Sequence, residues 1–329
     1  MYNCKINDSS NRYGMDEQIL TTHSPLENYG HRRRTSSINN PHIDEMTEDV
    51  LYHLGFTKLN DDLRIMFGDV QFVCVGGTPE RMQAFAEYVS KILELTNQIG
   101  EEFPNISKSS RYSMYKAGPV LCVSHGIGSP SVSIVLHEIM KLMHHAGAED
   151  PIFLRIGTSG GLGLPPGSIV ITSVSVNGML QPYQELVVLG KKVQRPSALD
   201  QELCKEIKSV ADKYLKGCNV VIGKTMCADD FYEGQGRLDG AFCDYNNEDK
   251  LSYLEELKEE GVCNIEMESL TFAAMCRNVG LRAGVICVTV VDRFKGDQVT
   301  MSLNEMEIWQ ERVLRLAAMY IKEHLTREI

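Results

Sequence analysis

The sequence predicts a three-layer α/β/α fold, one domain on a mixed central sheet, and three observations carry that prediction. Short apolar runs such as Phe72-Val73-Cys74-Val75 alternate with amphipathic stretches of helical period. The runs are apolar on both faces, as strands are when helices cover both sides of a sheet. No Pro/Gly/Ser linker and no internal repeat divides the body of the chain. With 329 residues, 43% hydrophobic and 23% charged, the chain has globular proportions, and it lacks an apolar run of about 18 residues that could span a bilayer.

Taken in order, residues 1–45 are rich in Asn, Ser, Arg and His without sustained period, which predicts a disordered or irregular N-terminal extension ahead of a domain over 46–329. Within it, Arg32-Arg33-Arg34 precedes Thr35, Ser36 and Ser37, a pattern that basophilic kinases can read, although a solvated charged turn is the favoured explanation. Asp69 to Gly76 reads as a buried strand, followed by a helix whose Met82, Phe85, Val89 and Ile92 recur at helical spacing. Pro119 to Ser124 is a second strand, and a helix from about Ser131 stops near Gly147. Pro151 to Ile156, Ser168 to Ser175 and Asn219 to Gly223 are further strands, with a helix from Ser197 to Leu215 before the last. A helix near 248–260, the strand Asn264 to Met267, a helix over Leu270 to Arg277 and the strand Ala283 to Val291 follow. The closing helix begins at Ser302-Leu303-Asn304-Glu305, a capping box.

The net charge of −11 argues against nucleic acid and anionic membranes as partners, since both need a cationic face. Ten scattered cysteines without a C-x-x-C pair, and no signal or lipidation motif, predict a reducing, cytoplasmic location.

In such sheets ligands sit at the carboxyl ends of strands. Gly76-Gly77-Thr78-Pro79-Glu80-Arg81 turns into a helix start whose free N–H groups, dipole and guanidinium suit an anion. Leu154-Arg155-Ile156-Gly157-Thr158-Ser159 places an arginine inside an apolar strand, which is costly unless it meets an anion or a carboxylate. Arg111 is a third candidate donor. Gly157-Thr158-Ser159-Gly160-Gly161 also matches the nucleophile elbow G-x-S-x-G, but another strand follows where an elbow needs a helix, and His324 has no signature as its base. Phe231-Tyr232-Glu233-Gly234-Gln235-Gly236-Arg237 groups an aromatic face, an amide and a guanidinium, which fit the ring and the O–C–N–C–O edge of uracil. Glu266 and Glu268 are paired carboxylates suited to a diol, to acid/base chemistry or, with no histidine nearby, least of all to a metal. His125, His137, His144 and His145 read as packing or surface residues.

Val73-Cys74-Val75-Gly76-Gly77, Arg155 to Gly161, Phe231 to Gly240 and Asn264 to Ser269, in this order, make the chain resemble the nucleoside phosphorylase-I family, in its animal-type uridine-cleaving branch, from about Met46 to Leu325. The resemblance implies phosphorolysis of uridine to uracil and ribose 1-phosphate by a pentosyltransferase without cofactor or metal, inorganic phosphate being co-substrate. It places phosphate on Gly77, Arg81, Arg155 and Thr158, with Arg111 from a partner subunit. Ribose falls on Ile127, Met267 and Glu268, with the partner's His53; uracil falls on Phe231, Gln235, Arg237 and Arg293. Arg237, Gln235, Arg155 and Glu268 are the implied catalytic set, and a homodimer is the implied assembly. Ile127 and Ala228 depart from the family pattern, Ala228 by lacking a hydroxyl. The competing readings are a purine nucleoside phosphorylase, a nucleosidase of the same fold, and a catalytically silent nucleoside-binding regulator.

Overall fold

The chain is seen in a computed structural model that describes residues 38, 40–95 and 103–327. Thr35, Ser36 and Ser37 lie outside the described residues. In chain order the elements are α1 (His42–Glu45), β1 (Val50–Leu51), β2 (Phe56–Thr57), α2 (Leu63–Phe67), β3 (Phe72–Gly76), α3 (Pro79–Ile92), β4 (Met114–Ala117), β5 (Val120–Ser124) and α4 (Ser129–Ala146). They continue with β6 (Ile152–Gly161), β7 (Ile169–Val176), β8 (Tyr183–Val188), β9 (Lys191–Pro196), α5 (Gln201–Tyr214) and β10 (Val220–Cys227). The last are α6 (Asn247–Glu259), β11 (Val262–Glu266), α7 (Ser269–Asn278), β12 (Ala283–Asp292) and α8 (Leu303–Arg327).

Eight strands form one mixed sheet in the order β11-β10-β7-β12-β6-β3-β5-β4. Helices α2, α4 and α7 cover one face, around Leu136, Phe153 and Phe272, while α3, α5 and α8 cover the other, around Phe85, Leu154 and Leu316. The fold is therefore the expected three-layer α/β/α domain, with α6 packing on a smaller cluster of Leu162, Met226, Leu254 and Ile265. Helix ends follow their local chemistry: the Thr78 hydroxyl accepts from the Arg81 N–H, Gly147 closes α4 at φ 69°, and Ser302 and Glu305 cap α8 reciprocally.

Four features differ from the sequence expectation. Among the described residues, α1 lies before Met46 and buries Ile43. Strand β6 does not end at Ile156; its Gly157–Gly161 segment keeps partners on β12, and Gly160 and Gly161 pair antiparallel with β11. That second pairing closes the sheet on itself through β6, β12, β7, β10 and β11. The antiparallel edge strand β4 and the hairpin β8–β9 also appear, the first beside β5 and the second outside the main sheet.

Candidate active site

The site is built where β6 outruns β3. Strand β3 pairs with β6 only as far as Ile156, so the rest of β6 projects past the start of the turn after Gly76. In that turn a Cβ on Gly77 would lie 3.7 Å from Arg81 Nη1, so the guanidinium rests beside the Gly77 backbone. Arg81 is half-buried, its Nε is buried without a partner, and burial, with Arg155 nearby, lowers its pKa. A cation so placed is costly unless an anion joins it.

Arg155 is 2% exposed and bridges the two carboxylates of the β11–α7 junction: Nη1 is 2.9 Å from Glu266, and Nη2 pairs with Glu268. A Cβ on Gly157 would come within 2.8 Å of Arg155 Nη1, so glycine two residues along the strand is what lets the guanidinium lie flat there. Burial opposes the Arg155 charge, but Glu266 and then Glu268 more than offset it, and the group stays firmly protonated. Glu266 is anchored from behind by the N–H groups of Glu268 and Ser269, at 3.0 and 2.9 Å, and by the Ser269 hydroxyl. Glu268 instead reaches forward, its Oε1 accepting from the Gly128 N–H at 2.6 Å. Burial works against its charge, yet Arg155 holds its carboxyl below the usual range. Met267 is half-buried between the two carboxylates, Thr158 is half-buried further along β6, and Ile127, 76% exposed, flanks Gly128.

A second cluster lies at the far end of β6. The stem of Arg293 packs where a Cβ on Gly160 would stand, 2.8 Å away. Its guanidinium donates to the Gln235 carbonyl at 2.8 Å, to Gln235 Oε1 at 3.4 Å and to Asp297 Oδ1 at 3.0 Å. Arg293 is 1% exposed, and Lys250 completes the network on Asp297 at 2.8 Å. Gln235 ends a 3₁₀ turn, and Gly236 at φ 63° lets Arg237 follow it in the same bend. Two of the Arg237 nitrogens bind Asp239, at 2.8 and 2.7 Å, while its guanidinium lies 4.4 Å over the Phe231 ring. One face of Phe231 therefore already carries Arg237. The loop starts at Ala228, whose N–H is bonded to the Glu266 carbonyl at 2.8 Å, and this joins the second cluster to the first.

Among the described residues, no hydrogen bond or ion pair links the side chains of His53 and Arg111 to these clusters. Glu138 of α4 holds His53, accepting from its backbone N–H at 2.9 Å and lying 2.6 Å from Nδ1. The His53 ring is 6.3 Å from that of Tyr112, which places it beside exposed Arg111. The elbow reading also falls: Ser159 sits inside β6, its hydroxyl accepting from Asn264 at 2.9 Å and donating to the Val288 carbonyl. His324 packs edge-on against Phe72, far from a role as base.

Sequence reasoning missed four participants. Asp239 and Asp297 follow arginines at i+2 and i+4, a visible charge pattern, whereas Lys250 gave no signal. His125, expected to be a packing or surface residue, is 1% exposed and sits among Arg155, Glu268 and Arg81.

A mixed, partly closed sheet thus carries an arginine–carboxylate cluster and a glutamine–arginine cluster along one strand. The model of the Phosphorylase superfamily matches residues 71–325. Uridine phosphorylase 1 of Mus musculus is 49% identical over 303 residues, covering 92% of this chain and 96% of that protein. The inactive uridine phosphorylase B of Schistosoma mansoni is 40% identical, over 87% of this chain and 96% of its own. The crystal structure of Schistosoma mansoni uridine phosphorylase in complex with uracil superposes with a TM-score of 0.82 at 42% identity, covering 87% and 99% of the two chains. The chain belongs to the phosphorylase superfamily and, within it, to the animal-type uridine phosphorylases.

Proposed function

We propose that this chain cleaves uridine by phosphorolysis, and the observation that carries the reading is the placement of two complementary clusters along β6, one at Arg155 and one at Gly160. The Gly77–Arg81 turn with Arg155 and Thr158 suits phosphate; the Gln235–Arg237 bend with Phe231 and Arg293 suits uracil. Ribose between them would rest on Ile127 and Met267, with Glu268 accepting from its hydroxyls.

In the reaction a phosphate oxygen forms a bond to C1′ as the bond from C1′ to N1 breaks, and the bonding pair leaves with the base. Charge builds on the uracil ring, so Arg237 and Gln235 stabilise the leaving anion, while Arg81 and Arg155 hold the nucleophile in line. No enzyme nucleophile or cofactor takes part; inorganic phosphate is the co-substrate. Glu268 changes partner in this scheme, from Arg155 toward the ribose, and Arg155 keeps Glu266, whose other donors fix it in place.

We infer that His53 and Arg111, which flank the Tyr112 ring, complete the site of a second copy in a cytoplasmic homodimer. Phosphate-dependent release of uracil from uridine tests the reading. Cleavage without phosphate would indicate a nucleosidase, preference for inosine a purine enzyme, and binding without turnover a silent relative such as the Schistosoma mansoni protein named inactive.

A further inference from the structure

The most conspicuous unmatched group in the site is the imidazole of His125. It follows β5 directly, and its backbone is fixed by a bond from its N–H to the Gly76 carbonyl at 2.8 Å and by the Ser131 hydroxyl, which donates to its carbonyl at 2.6 Å. The ring is buried, and neither Nδ1 nor Nε2 has a hydrogen-bond partner among the described residues. Buried polar atoms left unmatched are uncommon and costly, which calls for a reason. Nε of Arg81 and Nε of Arg155 are buried and unpartnered as well, so three neighbouring side chains hold polar atoms that no described residue satisfies.

The charges facing the ring decide what it offers. Burial, then Arg155, depress its pKa to about 3; Glu268 and the Gly126 backbone oppose them, and Arg81 adds a smaller push downward. The ring is therefore neutral at physiological pH, with one N–H donor and one lone pair. Glu268 is the acidic neighbour that acts on the ring, and its two oxygens accept from the Gly128 N–H and from Arg155. The ring stands near two guanidinium groups, with the Gly126 backbone close by, and its N–H makes no hydrogen bond to an acceptor among the described residues. An oxyanion drawn in by the same two arginines would bring one.

We propose that His125 is a further phosphate-contacting residue, whose neutral ring N–H donates to an oxygen of the phosphate held by Arg81 and Arg155. The inference rests on the phosphate pocket read above. Because the ring adds no charge, it orients the anion rather than attracting it, and no proton moves in the contact.

The test compares His125→Phe, which keeps a flat ring without a donor, with His125→Gln, which restores an N–H; His125→Leu replaces the Phe variant should that fail to fold. Phosphate KM at saturating uridine, uridine KM at saturating phosphate, and the shift of melting temperature by inorganic phosphate alone are measured for each. The Phe variant should fold with undiminished stability in the absence of phosphate, because two unmatched nitrogens are gone. Its phosphate KM should rise roughly 10- to 100-fold, the size of a lost hydrogen bond to an anion. Its uridine KM should stay near the wild-type value, its phosphate-induced shift should shrink, and the Gln variant should recover part of both. An unchanged phosphate KM and a full phosphate shift in the Phe variant overturn the proposal, as does a rise confined to uridine KM, which would move the contact to ribose. A wild-type protein that phosphate neither stabilises nor drives to turnover overturns the pocket itself.

Discussion

At the scale of single residues, the chemistry depends on arginines whose partners are fixed before any ligand arrives. Arg237 is preset by Asp239 on one side and Phe231 on the other, so in the proposed role its orientation would cost little at the moment the leaving uracil becomes charged. Arg237→Ala should therefore lower kcat by about 100- to 1,000-fold, with a smaller effect on uridine KM; steady-state kinetics of the purified variant decide it, and unchanged kcat would remove Arg237 from the transition state. The same pair fixes a pH dependence. Arg237 holds the Asp239 carboxyl below its ordinary value of 3.8. A carboxylate with a depressed folded value contributes above its unfolded value and loses that contribution as pH falls through the folded one. Loss of kcat/KM from this source should thus appear only below about pH 4, and Asp239→Asn should abolish that limb of the profile while lowering activity at neutral pH.

At the scale of elements, β6 explains both what the sequence disclosed and what it concealed. Its first half was legible, because Ile152 to Ile156 is an apolar run and a buried arginine within it demands a counter-charge. The second half, Gly157-Thr158-Ser159-Gly160-Gly161, has the composition of a loop, and only the neighbours β11 and β12 make it a strand. The hairpin β8–β9 was hidden for the related reason that its strands are largely exposed and carry no apolar stripe. His125 was hidden because burial is set by the whole fold, and a lone histidine at a strand end carries no mark of its surroundings. The glycines of β6, by contrast, have a geometric reason. In Gly157→Ala the new Cβ would stand 2.8 Å from Arg155 Nη1, so the guanidinium must move off Glu266. Phosphate KM should rise severalfold and melting temperature should fall, measured by kinetics and thermal unfolding; a variant identical to wild type in both would show that the guanidinium is not wedged there. Gly236→Ala should act on the other cluster, since φ 63° costs an alanine about 1–2 kcal/mol. It should weaken uridine binding while leaving phosphate stabilisation intact.

At the scale of the whole molecule, the proposed homodimer rests on His53 and Arg111. Glu138 clamps His53 through backbone and ring, and Arg111 stands exposed one residue from the Tyr112 ring beside it, so both are presented outward by well-packed supports. Such a surface makes sense where a second copy, related by a twofold axis, receives it. The consequence can be tested without a structure of the assembly. On the proposed arrangement Arg111→Ala should damage the site of the neighbour, whereas Arg237→Ala should damage the site of its own chain. In a mixed dimer of the two variants, one site combines both defects and the other has neither. Unfolding and refolding the two proteins together in equal amounts makes about half of the dimers mixed, and with one intact site in each, activity should return to about a quarter of the wild-type value. Refolding either variant alone should return none. If the mixture stays as inactive as its components while light scattering reports dimers, then Arg111 serves its own chain, and the phosphate pocket is complete within one subunit.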